Sequence, residues 1–167
     1  MAQRPPDFAS YYEAVHPRVL RAVALVLGDP EHAARIAHES FVRTHAAWSR
    51  VGAQEPLTHT LRCAFRLAWR VRTQPTDAGA EASVAAVLPA GPGRGAPADP
   101  RDVDLALALA SLPRSPRVVL VFSSYLGLDD PTIGEVMGIR AHEVAAHRAQ
   151  AHASLRALLG EERSGVA

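Results

Sequence analysis

Apolar residues along the first seventy or so positions recur at the spacing of amphipathic helices. Phe8, Tyr11, Tyr12 and Val15 lie three or four apart, which predicts a first helix. Pro17 can open a second at its first turn, with Val19, Leu20, Val23, Ala24 and Leu27 on one face. Gly28-Asp29-Pro30 breaks that pattern. A third helix is predicted from near Glu31 through Ile36, Ser40, Phe41 and Ala47 to Trp48. Pro56 precedes a fourth, whose stripe is Leu57, Leu61, Ala64, Phe65, Ala68 and Trp69. No strand alternation persists.

The pattern resumes after residue 100. Val103 to Leu112 reads as a helix stopped by Pro113. Ser115-Pro116 opens another, carrying Val118, Val119, Val121, Phe122 and Tyr125. Its β-branched run argues for a strand, but the Ser-Pro start and the length favour a helix. Gly127-Leu128 ends it. In Asp129-Asp130-Pro131, Asp130 is the expected cap and Pro131 the first helical residue. A short helix, Thr132 to Met137, is followed by a Gly138-Ile139 turn and a long helix from about Arg140 to Leu159. Short helix, glycine turn and longer helix form the helix-turn-helix pattern.

Between the two periodic stretches, residues 74–100 are rich in Pro, Gly and Ala and contain no aromatic residue. That composition is a linker. The expected fold is all-α: two small helical domains, residues 1–73 and 101–160, joined by a flexible linker over 74–100, with a tail at 161–167. A linker of this kind permits both compact and extended states.

Charge changes the picture more than bulk composition does. The net charge is +1, and all eighteen basic residues are arginine. Residues 1–73 hold ten arginines against six acids, whereas residues 101–167 hold seven against eight. The first lobe is therefore the better candidate for an anionic partner. Its fourth helix carries Arg62, Arg66, Arg70 and Arg72, with no acid from Pro56 to Thr73. The first three are four apart and share a face. An uncompensated ladder of this kind points to phosphate. Trp69 and Phe65 beside it are either stacking surfaces for bases or core.

The run GIRAHEVAAHRAQAH raises the question of a metal. His142, His147 and His152 are each five apart, so each step turns about 140° away from the last. They spiral around the helix instead of converging, and the H-E-x-x-H zinc pattern is missed by one residue. No metal and no cofactor is expected. There is no glycine-rich phosphate loop and no nucleophile–base pair, which argues against an enzyme. The lone cysteine, Cys63, permits no internal disulfide and reads as a core or boundary residue. No apolar run approaches a membrane span, and MAQRPPDF lacks a signal-peptide core. A cytoplasmic protein without membrane insertion is expected.

Taken together, the chain resembles a bacterial RNA polymerase sigma factor of the extracytoplasmic-function subfamily of the sigma-70 family. The likeness covers nearly all of it outside the linker. DFASYYEAVHPRVLRAVALVLGDPEHAARIAHESFVRTHAAW resembles region 2, best at Phe8, Tyr12, Pro17, Leu20, Gly28-Asp29, Glu39, Phe41 and Trp48. Region 4 is matched by Leu112-Pro113, Arg117, Val119-Leu120, Ile133, Glu135-Val136, Gly138-Ile139, Val144 and the leucine-rich tail. The resemblance implies core RNA polymerase and promoter DNA as partners, with an anti-sigma factor or another sigma factor as further ones. It implies docking on the polymerase clamp helices through Arg35, Ile36, His38, Glu39 and Phe41. It implies melting and reading of the minus-ten element by the helix matching Leu57–Arg72, with the four ladder arginines. Reading of the minus-thirty-five element falls to Thr132, Arg140, His142, Glu143, His147, Arg148 and Gln150. Such a protein has no catalytic residues of its own.

Three departures stand out. The docking helix usually carries acid-x-x-Gln-Glu; here it is Arg35-Ile36-Ala37-His38-Glu39. The melting helix usually carries an Asn and an Asp near positions that are Ala64 and Ala68 here. The recognition helix is usually rich in Lys and Arg, whereas the matching positions are Ala145, His147, Gln150, His152 and Ser154. Histidine is mostly uncharged at neutral pH, although neutral His and Gln still hydrogen-bond base edges. Arg148 falls in the apolar stripe with Val144, Ala151 and Leu155, and either snorkels to DNA or sits at the domain edge. Two readings remain: an active alternative sigma factor, or a diverged sigma-like regulator that does not initiate transcription alone.

Overall fold

A computed structural model describes residues 7–52, 55–71 and 107–164. The linker 74–100, Arg72 and the start of the helix expected from Val103 lie outside the described residues. Among the described residues there are helices and turns but no strand, as the periodicity predicts.

Helix α1 spans Phe8–Leu27 without interruption, with Pro17 inside it. This corrects the expectation of a break at Pro17. An internal proline costs a helix ~3 kcal/mol. Pro17 is exposed, so the helix gives up its hydrogen bond on the solvent side. The buried stripe continues through it from Tyr11 to Val19, Val23, Val26 and Leu27. Each such side chain contributes ~1.5–3 kcal/mol on burial, which outweighs the proline. Asp7 caps the start by accepting from the Ser10 amide at 3.0 Å.

Helix α2, Pro30–Ala46, is capped by Asp29, and a separate turn of helix, α3, covers Trp48–Val51. The single helix expected to reach Trp48 is thus divided at Ala47. Helix α4, Pro56–Arg70, packs against α2. Between α1, α2 and α4 runs a buried hydroxyl network. Tyr11 Oη lies 2.7 Å from Thr60 Oγ1, Thr60 lies 2.9 Å from Thr44 Oγ1, and Thr44 donates to the Ser40 carbonyl at 2.8 Å.

In the second half, residues 107–111 are helical and Leu112 is buried. Helix α5, Arg114–Leu120, starts one residue before the predicted Ser115 and runs into a π-helical turn, Val121–Tyr125. The β-branched run is therefore helical. The π turn was not foreseen; it buries Val121 and Phe122. Helix α6 spans Asp130–Met137, and its cap is Asp129, not Asp130 as predicted: the Asp129 carboxylate accepts from the Thr132 amide at 3.0 Å. Helix α7, Ala141–Ser164, begins one residue after Arg140 and outlasts the predicted end at Leu159.

The two halves share one continuous apolar core, in which Val23, Val26, Ala64 and Ala68 of the first meet Val118 and Phe122 of the second. Arginines join the halves by reaching main-chain carbonyls at helix ends. Arg114 donates to the carbonyls of Ala68 and Val71, the latter at 3.1 Å. Arg117 donates to Val26 at 3.1 Å and Leu112 at 2.9 Å. Arg18 donates to Leu126 at 3.3 Å. A cation at a helix C-terminus is favoured by the partial negative charge there. Burial pushes the Arg114 and Arg117 guanidinium groups down from the usual arginine range, Arg117 also through its neighbour Arg114. Among the described residues, no helix is long and apolar enough to cross a membrane.

Candidate nucleic-acid interface

The ladder on α4 does not present itself as three equal cations. Arg66 and Arg70 are exposed. Arg62 is only about one-third exposed and pairs with Glu135, an exposed carboxylate on α6 of the other half. Near it an open polar cleft is lined by Val51, Glu55, Thr58, His59, Arg62 and Glu135. Burial pushes the His59 imidazole below its ordinary range, and Arg62, Arg50 and Arg66 push it further. His59 Nε2 lies 3.7 Å from Cys63 Sγ, and burial raises that thiol. Cys63 is half-buried at the boundary, as the sequence suggested.

The aromatic pair beside the ladder splits by burial. Phe65 is half-buried and Trp69 is 45% exposed, their ring centroids 5.0 Å apart. Arg114 lies over the Trp69 ring, its guanidinium carbon 4.7 Å from the centroid. Ala64 and Ala68, where the resembled family usually carries Asn and Asp, are buried against the second half. A polar side chain there would need a partner beneath Val118 and Phe122.

The turn between α6 and α7 is built by two glycines. Gly138 takes φ 73°, a left-handed conformation that an L side chain rarely adopts. Its amide and that of Ile139 both donate to the Gly134 carbonyl, at 2.8 and 3.0 Å. A Cβ on Gly134 would stand 2.7 Å from the Ile139 carbonyl oxygen, so the turn folds back over the place a side chain would occupy. Gly134 was not singled out from sequence; a glycine inside a short predicted helix was the signal available.

The structure separates the predicted contacts of this motif. His142 and Gln150 are exposed and His147 is half-buried, so these polar groups are within reach of a partner. Arg140 is exposed, and its amide donates to Glu143 Oε2 at 2.8 Å. Glu143 thereby caps α7, and that bond holds its carboxyl below the usual range. Thr132 is half-buried in the first turn of α6, tied by its amide to Asp129. Arg148 is half-buried and makes a two-pronged pair with Asp130, at 2.5 and 2.7 Å, that braces α7 against α6.

The docking segment on α2 is also divided. Arg35 and His38 are exposed, and Glu39 pairs with Arg43 at 2.8 Å. Ile36 and Phe41 are buried, at 4% and 2% exposure, so they support the helix from the core and offer no contact surface. Phe41 packs on Tyr12 and His16, with centroids 5.0 and 5.5 Å away. Val42, 48% exposed, was missed; it occupies a position next to the buried Phe41 where an apolar side chain has no core partner. Among the described residues no three His, Cys, Asp or Glu side chains cluster closely enough to share a metal ion.

The sequence matches no protein-family model and no curated protein. Among solved structures, the fold is similar to that of CnrH, determined in complex with the cytosolic domain of CnrY. The TM-score is 0.67 over 92% of this chain and 88% of that one, at 17% sequence identity. At that identity the likeness is one of fold, and it spans both helical halves.

Proposed function

We propose that this protein is a sigma-type transcription factor that binds core RNA polymerase in the cytoplasm and directs promoter recognition. The resemblance of both halves of the sequence to a sigma factor carries the reading, and the fold likeness to CnrH over 92% of the chain supports it. The exposed Arg66 and Arg70 and the glycine-built helix-turn-helix support it. The protein supplies no covalent chemistry. Arg66 and Arg70 take phosphates along one strand, and each such contact releases counterions and makes binding salt-dependent. His142, His147 and Gln150 present hydrogen-bonding groups to base edges from the first turns of α7. Arg35 and His38, with Val42, face the polymerase.

One observation favours a second reading, a sigma-like regulator that binds polymerase, an anti-sigma factor or another sigma factor without initiating transcription. Arg148 is committed to Asp130, which leaves the DNA-facing part of α7 short of cations. CnrH, moreover, is seen bound to another protein's cytosolic domain. Co-purification with core polymerase, followed by run-off transcription from the protein's own upstream region, separates the two. Binding with specific transcripts is the expected result. Binding without transcripts would favour the regulator, and no binding would refute the first reading and leave an anti-sigma factor or another sigma factor as the regulator's partner.

A further inference from the structure

We infer that Arg114 is an intramolecular clasp that holds the α4 platform closed, in the place a nucleic-acid base would take. The inference rests on the proposed nucleic-acid role of α4. Its guanidinium lies over the Trp69 ring at 4.7 Å and donates to the Ala68 and Val71 carbonyls at the end of the same helix. A planar cation on that ring face and a stacked base are mutually exclusive occupants.

Two further contacts belong to the same closed state. Arg62, the first rung of the ladder, is drawn to Glu135 of the second half. Ala64 and Ala68 pack against that half with 1% and 5% exposure. A larger or polar residue at either position would obstruct the approach of α5. Magnitudes rank these contacts. The Arg62–Glu135 pair is partly exposed and contributes little. Arg114 combines a stacked cation with two carbonyl bonds at a helix C-terminus, which makes it the strongest single polar link between the halves. When Arg114 lets go, Trp69 and Phe65 become a free stacking ledge beside Arg66 and Arg70.

The test uses the full chain in a Trp48→Phe background, so that Trp69 alone fluoresces. Arg114→Lys keeps the charge but loses the planar stack and the fork; Arg114→Ala removes both. Acrylamide quenching reports exposure of Trp69, and anisotropy of a labelled single-stranded oligothymidylate reports binding. Quenching should rise in Arg114→Lys, and affinity should tighten about tenfold, the equivalent of ~1.4 kcal/mol of clasp. If the alanine variant loses helicity by circular dichroism, the lysine variant decides. Unchanged quenching in Arg114→Lys overturns the clasp. Raised quenching with unchanged affinity overturns it as an inhibitor and leaves the nucleic-acid reading standing. Absence of oligonucleotide binding by any form at low salt removes that reading, and the inference with it.

Discussion

Gly134→Ala tests the turn between α6 and α7 through a change of sign. In an ordinary helix interior, alanine is more favourable than glycine by ~1 kcal/mol, so the substitution should stabilise α6. Here the new Cβ would stand 2.7 Å from the Ile139 carbonyl oxygen and 3.6 Å from the Ala141 amide nitrogen. Both are main-chain atoms, and neither can swing aside as a side-chain tip would. Relief requires the turn and the start of α7 to move. Overpacking of this kind costs about 1–3 kcal/mol. Set against the helix gain, the net expectation is a destabilisation of up to about 2 kcal/mol, or a fall in Tm of up to about 8 °C for a chain of this size. Gly138→Ala is the companion. No atom lies within 4 Å of its Cβ, so its cost is the left-handed backbone alone. Asparagine, which tolerates that conformation, should recover part of the loss at Gly138 and none at Gly134. Thermal melts followed by far-UV circular dichroism measure all four variants. A rise in Tm for Gly134→Ala would refute the close turn.

Three other outcomes are expected. Arg66→Glu should weaken DNA binding and flatten the salt dependence of its logarithm by about one to two; an unchanged slope in a titration with salt would take α4 off the DNA. A double-mutant cycle on Asp130→Asn and Arg148→Gln should show a coupling of about 1 kcal/mol in urea unfolding, discounted for the partial exposure of both groups; strictly additive effects would remove the brace between α6 and α7. Burial, opposed by the Thr60 hydrogen bond, pushes the Tyr11 phenol up to about 12, so the native state keeps a proton that the unfolded chain releases near ~10. Stability should be intact below ~10 and fall as pH rises toward ~12, by on the order of 2 kcal/mol. Urea midpoints at both ends should fall less in Tyr11→Phe, and parallel losses would refute the assignment.

The helices were legible because each carries its own stripe. The stops at Gly28 and Gly138 were legible because glycine and proline act locally. What failed was local chemistry overruled by distant contacts. Pro17 read as a helix start, because nothing within a few residues shows that Tyr11, Val19 and Val23 bury one face together. Asp129 and Asp130 are equally good caps on paper; Arg148, eighteen residues on, takes Asp130, and Asp129 is left to cap. The arginine ladder was found as a charge pattern, but its partial neutralisation by Glu135 depends on how the halves meet. The buried members of the docking segment, Ile36 and Phe41, show the same limit: the resemblance marks a stretch of chain, and burial decides which side chains in it face outward.

The arginine links between the halves have a genetic consequence. Apart from the Arg62–Glu135 pair, one partner in each is a side chain and the other a main-chain carbonyl, as with Arg114 on Ala68 and Val71, Arg117 on Val26 and Arg18 on Leu126. Every amino acid supplies the same carbonyl. The accepting positions are therefore free to drift without breaking the bond, provided the helix ends stay in place. Such an interface leaves its record on one strand of the contact only: losing the arginine is costly, but no compensating change opposite it can be selected. Methods that look for paired substitutions would pass over it, and the closeness of the two halves would persist while the residues facing each arginine change.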